Sequence, residues 1–321
     1  MPCKTVRITE AKKDTAGILK RAIIESEIHG RQKVFIKPNM SHPDFVPGVV
    51  TDPIMLGQLV GLLRDKATEV IVGESNGFNY PCSSAFKNTG IETAVKAAGG
   101  TVINLSEDKL VRVKFQNSNH ALKELFLPKT VVDTDAIVDL ALMKTHEFTK
   151  FSGAIKNLFG CLPDNRRIFL HPYLKEVFHT LYRIINPELV VMDARVALEG
   201  NGPTKGDPVN MNLMLTGNDA LAVDVVASKI MGLNTNEIGY LDYMAKKEEF
   251  VDGDIVVQGV QVIEVMRRFK RPRIDLPVRA QMEIYKHEYL TKVFFCSLPV
   301  VKLFQKLTVA YRGEPVEAQL A

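Results

Sequence analysis

Ala136-Ile137-Val138-Asp139-Leu140-Ala141-Leu142-Met143 is a near-continuous apolar run that ends in Lys144-Thr145-His146. A strand takes this composition when both of its faces are covered, which places it at the centre of a parallel sheet with helices on each side. The polar residues that follow stand at its carboxyl edge, where open α/β sheets receive ligands.

The flanking sequence supports that reading. Lys33-Val34-Phe35-Ile36 reads as a buried strand, and Asp52 to Lys66 as a helix with Thr51 or Asp52 as N-cap and Pro53 in its first turn. Glu69–Val72 is the next strand; Gly90–Ala98 is a helix stopped by Gly99-Gly100, and Thr101–Leu105 follows as a strand. Downstream, Tyr173–Ile185 is helical, Leu189–Met192 is a strand, and Asp219–Met231 is a helix closed by Gly232. This alternation predicts an α/β fold with a mostly parallel sheet and helices on both faces, over residues 1–275. The Gly-, Asn- and Pro-rich stretch from Gly200 to Asn210 reads as a loop, and marks 200–210 as the place where that domain would divide. Residues 276–321 change character: Gln281 to Thr308 is helical in pattern, broken at Pro299, with Leu290, Val293, Phe294, Leu303 and Phe304 set among Lys286, Lys292, Lys302 and Lys306. An amphipathic helical extension is expected there, docked on the main domain or across a homodimer, or lying as a peripheral contact on a membrane surface.

Composition bounds the function. A chain of 321 residues with 46% hydrophobic and 24% charged residues can bury a full core without staples. Its 41 basic against 37 acidic residues leave a net charge of only +4 and no basic block, so no nucleic-acid partner is expected. The four cysteines, Cys3, Cys82, Cys161 and Cys296, lie far apart, which argues against an iron–sulfur cluster or zinc ribbon and for a reducing compartment. With no apolar run at Met1–Glu10, the expected location is cytoplasmic.

The chemistry-bearing residues concentrate after the central strand. Lys144, His146, Lys150 and Lys156 supply cationic charge and an imidazole suited to orienting a carboxylate or phosphate and moving a proton beside it. Lys156 stands in the apolar run Gly153-Ala154-Ile155-Lys156-Asn157-Leu158-Phe159-Gly160, where burial without a purpose would be costly. Arg166, Arg167 and His171 follow, adding guanidinium forks and a second imidazole. Upstream, Ile36-Lys37-Pro38-Asn39 and Gly73-Glu74-Ser75-Asn76-Gly77 end two other strands. The Asp193–Gly206 loop is neither a Walker A nor a dinucleotide-binding loop, so no ATP or NAD motif is present. Asp219 reads as a helix cap, and Asp224 as a carboxylate able to face the cleft.

In their order along the chain, Ile36-Lys37-Pro38-Asn39, Thr51-Asp52-Pro53, Gly73-Glu74-Ser75, Lys144-Thr145-His146, Gly153–Gly160, Asp193-Ala194, Glu199–Pro203 and Asn218–Asp224 resemble the domain-of-unknown-function 362 family, roughly over residues 30 to 245. Many members of that family carry a ferredoxin module; this chain lacks the clustered cysteines for one. More distantly, His146 ten residues before Lys156, and His171 fifteen after it, are similar to the nickel-pincer lactate racemase superfamily. That resemblance implies that Lys156 holds a cofactor or substrate and that His146 and His171 are acid–base or ligand groups, although Gly73–Gly77 offers no histidine where those racemases supply another.

The leading expectation is an enzyme that moves a proton on a small carboxylate- or phosphate-bearing metabolite, in the manner of an isomerase or racemase. Its catalytic residues would be His146, Lys156 and His171, and its substrate-binding residues Lys37, Asn39, Lys144, Asn157 and Arg166. With two imidazoles as the shuttle, the pH limbs are expected near neutrality. A metal- or metallocofactor-binding accessory protein is the alternative, with Glu74, His146, His171 and Asp224 as ligands to a divalent metal. A non-catalytic anion-binding module is the third reading.

Overall fold

The computed structural model describes residues 4–312 apart from 13, 29, 78–79, 115–123 and 164. Its strands are β1 (Lys4–Glu10), β2 (Lys33–Lys37), β3 (Glu69–Glu74), β4 (Thr101–Asn104), β5 (Leu110–Lys114), β6 (Glu124–Pro128), β7 (Ala136–His146), β8 (Lys150–Ser152), β9 (Leu189–Asn201), β10 (Lys205–Gly217) and β11 (Ile255–Gly259). Among the described residues, nine of them form one mixed sheet in the order β11-β1-β10-β9-β7-β2-β3-β4, with β8 paired to β7, while β5 and β6 form a separate hairpin. The stretch from β9 through β7, β2 and β3 to β4 is parallel throughout.

Every residue of β7 is buried, as its sequence requires of a strand covered on both faces. Alternation along the strands distributes the core. Val34, Ile36, Val70, Val72, Val138 and Leu140 pack beneath the helices Thr15–Glu25 and Pro53–Arg64. Ala141, Met143, Val190 and Met192 pack on the opposite side, against the helix Ala220–Ile230. The chain leaves β2 toward β3 and β4, and leaves β7 in the other direction, toward β9. The carboxyl ends of β2 and β7 therefore flank a topological switch point, the place where such sheets open a crevice.

Gly200–Asn210 is not a loop. β9 and β10 form a long antiparallel hairpin through it, with Asn201 opposite Lys205 and Val196 opposite Asn210. The ladder is irregular between Asn210 and Leu213, where Asn212 adopts a positive φ of 52°. Turn-forming residues mark a hairpin tip and a bulge as readily as a loop, and composition alone does not separate them. Among the described residues, the C-terminal segment forms three helices, Leu276–Tyr285, Glu288–Cys296 and Leu298–Arg312. Pro299 sits at the start of the last of them, where its missing N–H costs nothing, instead of interrupting one long helix. Among the described residues, no helix is long and apolar enough to cross a membrane.

Candidate functional site

Two lysines at the switch point are sealed inside the protein. Lys37, at the end of β2, forms an ion pair with Glu74 at the end of β3 and donates to the Pro38 carbonyl at 2.6 Å. Lys144, on β7, donates to Asn39 Oδ1 at 2.7 Å, Ser41 Oγ at 3.0 Å and the Val49 carbonyl at 2.6 Å. These three acceptors match the three N–H groups of an ammonium, while burial, and then the charge of Lys156, pull its pKa well below the ordinary lysine value.

Asn39 Nδ2 donates to Asn157 Oδ1 at 3.1 Å, and Asn157 Nδ2 donates to Asp139 Oδ1 at 2.6 Å. Among the described residues Asp139 Oδ2 has no hydrogen-bond partner, and burial raises the carboxyl to about 7 against the opposing pull of Asn157 and Lys37. Lys37, Asn39, Lys144 and Asn157 were expected to touch substrate; the structure places them in a hydrogen-bonded floor, and none lines the cavity above it. Gly160 presses on this floor: a Cβ there would lie 2.5 Å from Glu74 Oε1 and 2.8 Å from Lys37 Nζ.

The cavity, of about 180 Å³, is lined by His146, Lys156, Phe159, His171, Leu174 and Phe178, among others. Lys156 comes from the short helix Ala154–Asn157, whose first N–H groups are held by the neighbouring helix Ala220–Ile230. Asp224 accepts from Ala154 N at 2.6 Å and from Ile155 N at 3.1 Å. A Cβ on Gly153 would fall 2.1 Å from Asp224 Oδ1, so this contact requires glycine. Asp224 is thus a cap and not a cleft-facing group. Lys156 makes no hydrogen bond or ion pair among the described residues; burial, then the charge of Arg167, lower it to about 8.

The two imidazoles are held in opposite tautomers. His146, at the end of β7, accepts at Nδ1 from Phe148 N at 3.1 Å and Thr149 N at 3.5 Å. A neutral ring in that position carries its proton on Nε2. Burial, then the charges of Lys156, His171 and Lys144, push its pKa well below the ordinary value. His171 lies in the 3₁₀ segment Asn165–Tyr173 and shares its Nδ1 with the Ile168 carbonyl at 2.8 Å. That carbonyl can only accept, so Nδ1 carries the proton and Nε2 keeps its lone pair. Burial lowers His171 to about 4, against the pull of the Ile168 carbonyl and with the help of Lys156 and Arg167.

Sequence reasoning missed the ring that covers His171. Tyr285, from the first C-terminal helix, stacks on the imidazole with centroids 4.2 Å apart, and Phe159 meets it edge-on at 6.0 Å. No local signal marks Tyr285, since the contact is made by tertiary packing alone. Asp139 did carry a signal, as the lone carboxylate in an apolar run. A wider space of about 440 Å³ adjoins the cavity, shares His171, Phe148, Leu174 and Phe178 with it, and is edged by Lys150, Lys175 and Lys286.

Of the remaining expected residues, the Arg166 side chain lies outside the described ones. Arg167 donates to the Leu162 carbonyl at 3.2 Å and sits over the Phe159 ring. The proposed ligand set of Glu74, His146, His171 and Asp224 is not brought together: among the described residues, no three His, Cys, Asp or Glu side chains gather where they could hold a metal. The physical reason is that Glu74 is taken by Lys37 and Asp224 by two backbone N–H groups.

The fold and site define an α/β protein with a histidine- and lysine-lined cavity at the switch point of its sheet. The chain belongs to the domain-of-unknown-function 362 family, whose model matches residues 34–229. A thylakoid-associated protein of Synechocystis sp. is 25% identical over 211 residues, covering 63% of this chain and 64% of that relative. The chain thus spans just under two thirds of that relative's length. The lactate racemase apoprotein of Thermoanaerobacterium thermosaccharolyticum superposes with a TM-score of 0.47 at 15% identity, over 71% of this chain and 57% of the other. A structural-genomics protein of Thermotoga maritima gives 0.44 at 13% identity, over 79% and 62%.

Proposed function

We propose that the protein is an acid–base enzyme that moves a proton at the centre next to the carboxylate or phosphate of a small metabolite. The observation that carries this reading is the pairing, in one cavity, of two neutral imidazoles of opposite tautomer with an ammonium that no described carboxylate neutralises. Lys156 holds the anionic group. His171 Nε2 takes the proton from the neighbouring atom and returns it to the product, while His146 Nε2–H donates a hydrogen bond to the negative charge that develops there. Each turnover ends with both imidazoles neutral again, and the proton held by His171 in between exchanges with water. Phe159, Leu174 and Phe178 keep the site apolar, so that charge developing beside Lys156 is stabilised more strongly than it would be in water.

A metal held by protein side chains alone does not fit the donors described. A lysine-attached metallocofactor, as the racemase resemblance implies, fits better, because Lys156 is an uncommitted amine and His171 keeps a free Nε2 beside it. Such a group would supply a metal centre next to the substrate atom. Lys156 would then hold that group in place of the anion, and the proton chemistry would still fall to His146 and His171.

Solvent exchange tests the reading without knowledge of the substrate. A panel of 2-hydroxy acids, 2-amino acids and their phosphorylated analogues, incubated with the protein in D2O, should show enzyme-dependent loss of the proton signal next to the acid group for at least one member. Lys156→Ala and His171→Gln should abolish that exchange while leaving the circular dichroism spectrum unchanged. Tight anion binding with no exchange across the panel would favour the binding module instead.

A further inference from the structure

The last two helices are apolar on both sides. Their inner side is covered: the helix Glu288–Cys296 packs on the 3₁₀ segment Asn165–Tyr173, Thr291 and Val301 are buried, and the Phe294 and Phe304 rings join the two helices edge-on at 5.2 Å. A terminal helix docked in this way ordinarily turns a polar face to water. Here Tyr289, Val293, Val300, Leu303, Leu307 and Tyr311 are instead 41–76% exposed. On Leu298–Arg312 they recur at helical spacing, as Val300, Leu303, Leu307 and Tyr311, which makes one continuous stripe.

The charges beside the stripe are all of one sign. Lys302 and Lys306 stand one turn apart, next to Leu303 and Leu307, and neither forms an ion pair among the described residues. Leu298–Arg312 contains no acidic residue. On the preceding helices, by contrast, Lys286 is paired with Glu283 and Lys292 with Glu288.

We infer that this face docks on the surface of a membrane rich in anionic lipid, its apolar stripe lying at the level of the headgroups and Lys302 and Lys306 meeting the lipid phosphates. An exposed apolar stripe flanked by lysine is the composition of a helix lying in the interface. A negatively charged surface answers both of its features at once. A second copy of the chain answers only the first, because a two-fold contact through this face brings the two Lys302–Lys306 rows toward each other with no carboxylate on the helix between them. The docking does not depend on the proton-transfer reading, since no residue of the stripe lines the cavity.

The test uses the full-length protein and sedimentation with vesicles of ~30 mol% phosphatidylserine in phosphatidylcholine, beside vesicles of phosphatidylcholine alone. The protein should partition to the anionic vesicles at low salt and be released as salt screens the attraction. Lys302→Glu with Lys306→Glu should weaken partition by about thirtyfold or more. Leu303→Ser with Leu307→Ser should abolish it with the circular dichroism spectrum and Tm unchanged, since both side chains already face water. Failure to bind the anionic vesicles at low salt overturns the proposal. So does a lipid-independent dimer, measured by light scattering, that the Leu303→Ser, Leu307→Ser variant converts to monomer.

Discussion

Lys156 and His171 make opposite demands on pH. His171 must be neutral to accept a proton, and that fraction grows as pH rises through about 4. Lys156 must be charged to hold an anion, and that fraction shrinks as pH rises through about 8. The activity profile should therefore have a broad top between these values, wider than the limbs near neutrality that two ordinary imidazoles would give. Burial is the cause, because it disfavours the charged form of both groups and so moves the acidic limb well away from the ordinary histidine value. Lys156→Arg keeps its charge far above pH 8, so its alkaline limb should disappear from the profile of kcat/KM. Lys156→Ala should lower kcat/KM by roughly a hundredfold or more across the range. An alkaline limb that survives in the arginine variant would assign it to some other group.

The short helix Ala154–Asn157 owes its place to Asp224, which lies on a different helix and satisfies two N–H groups that the helix leaves open. Asp224→Ala leaves both donors buried without an acceptor, at a cost of about 2–3 kcal/mol. Because Lys156 rides on this helix, the variant should raise KM for the anionic substrate more than it lowers kcat, and should lower Tm. Asp224→Asn retains a carboxamide oxygen for one of the two donors and should fall between. Wild-type KM in the alanine variant would show that Lys156 is placed by other means. Sequence alone made the carrier elements legible and this cap illegible. Val34–Ile36, Glu69–Val72 and Ala136–Met143 announced themselves as strands because burial on both faces leaves a local apolar signature. Position along a strand also predicted that Lys144 and His146 sit at the ligand-receiving edge. It did not show that Lys144 turns into the floor while His146 reaches the cavity, because that depends on which acceptors the Asn39–Val49 segment supplies from across the fold. Asp224 carried no mark distinguishing a carboxylate that faces a cleft from one that caps a distant helix.

Across the whole molecule, the C-terminal helices complete a site whose other parts lie in the middle of the chain. Tyr285 stacks on His171, meets Phe148 edge-on at 5.4 Å and is held by Gln281 Nε2, which lies 2.6 Å from its hydroxyl. Removing the ring should admit water to His171 and let its pKa climb from about 4 toward the ordinary 6.5. The sign follows from the role proposed for the imidazole: a base that stays protonated to higher pH loses activity first in acid. Tyr285→Ala should therefore be several-fold less active than wild type near pH 5 and much closer to it near pH 7.5. The hole left by the ring costs roughly 3 kcal/mol, so Tm should fall as well, and an NMR titration of the His171 ring separates the two effects. A shifted titration in a protein that remains folded supports the C-terminal helices as the cover that keeps His171 neutral. An unshifted titration would assign the low pKa to the Phe159 side of the cavity, and the C-terminal helices would then carry no part of the acid–base chemistry.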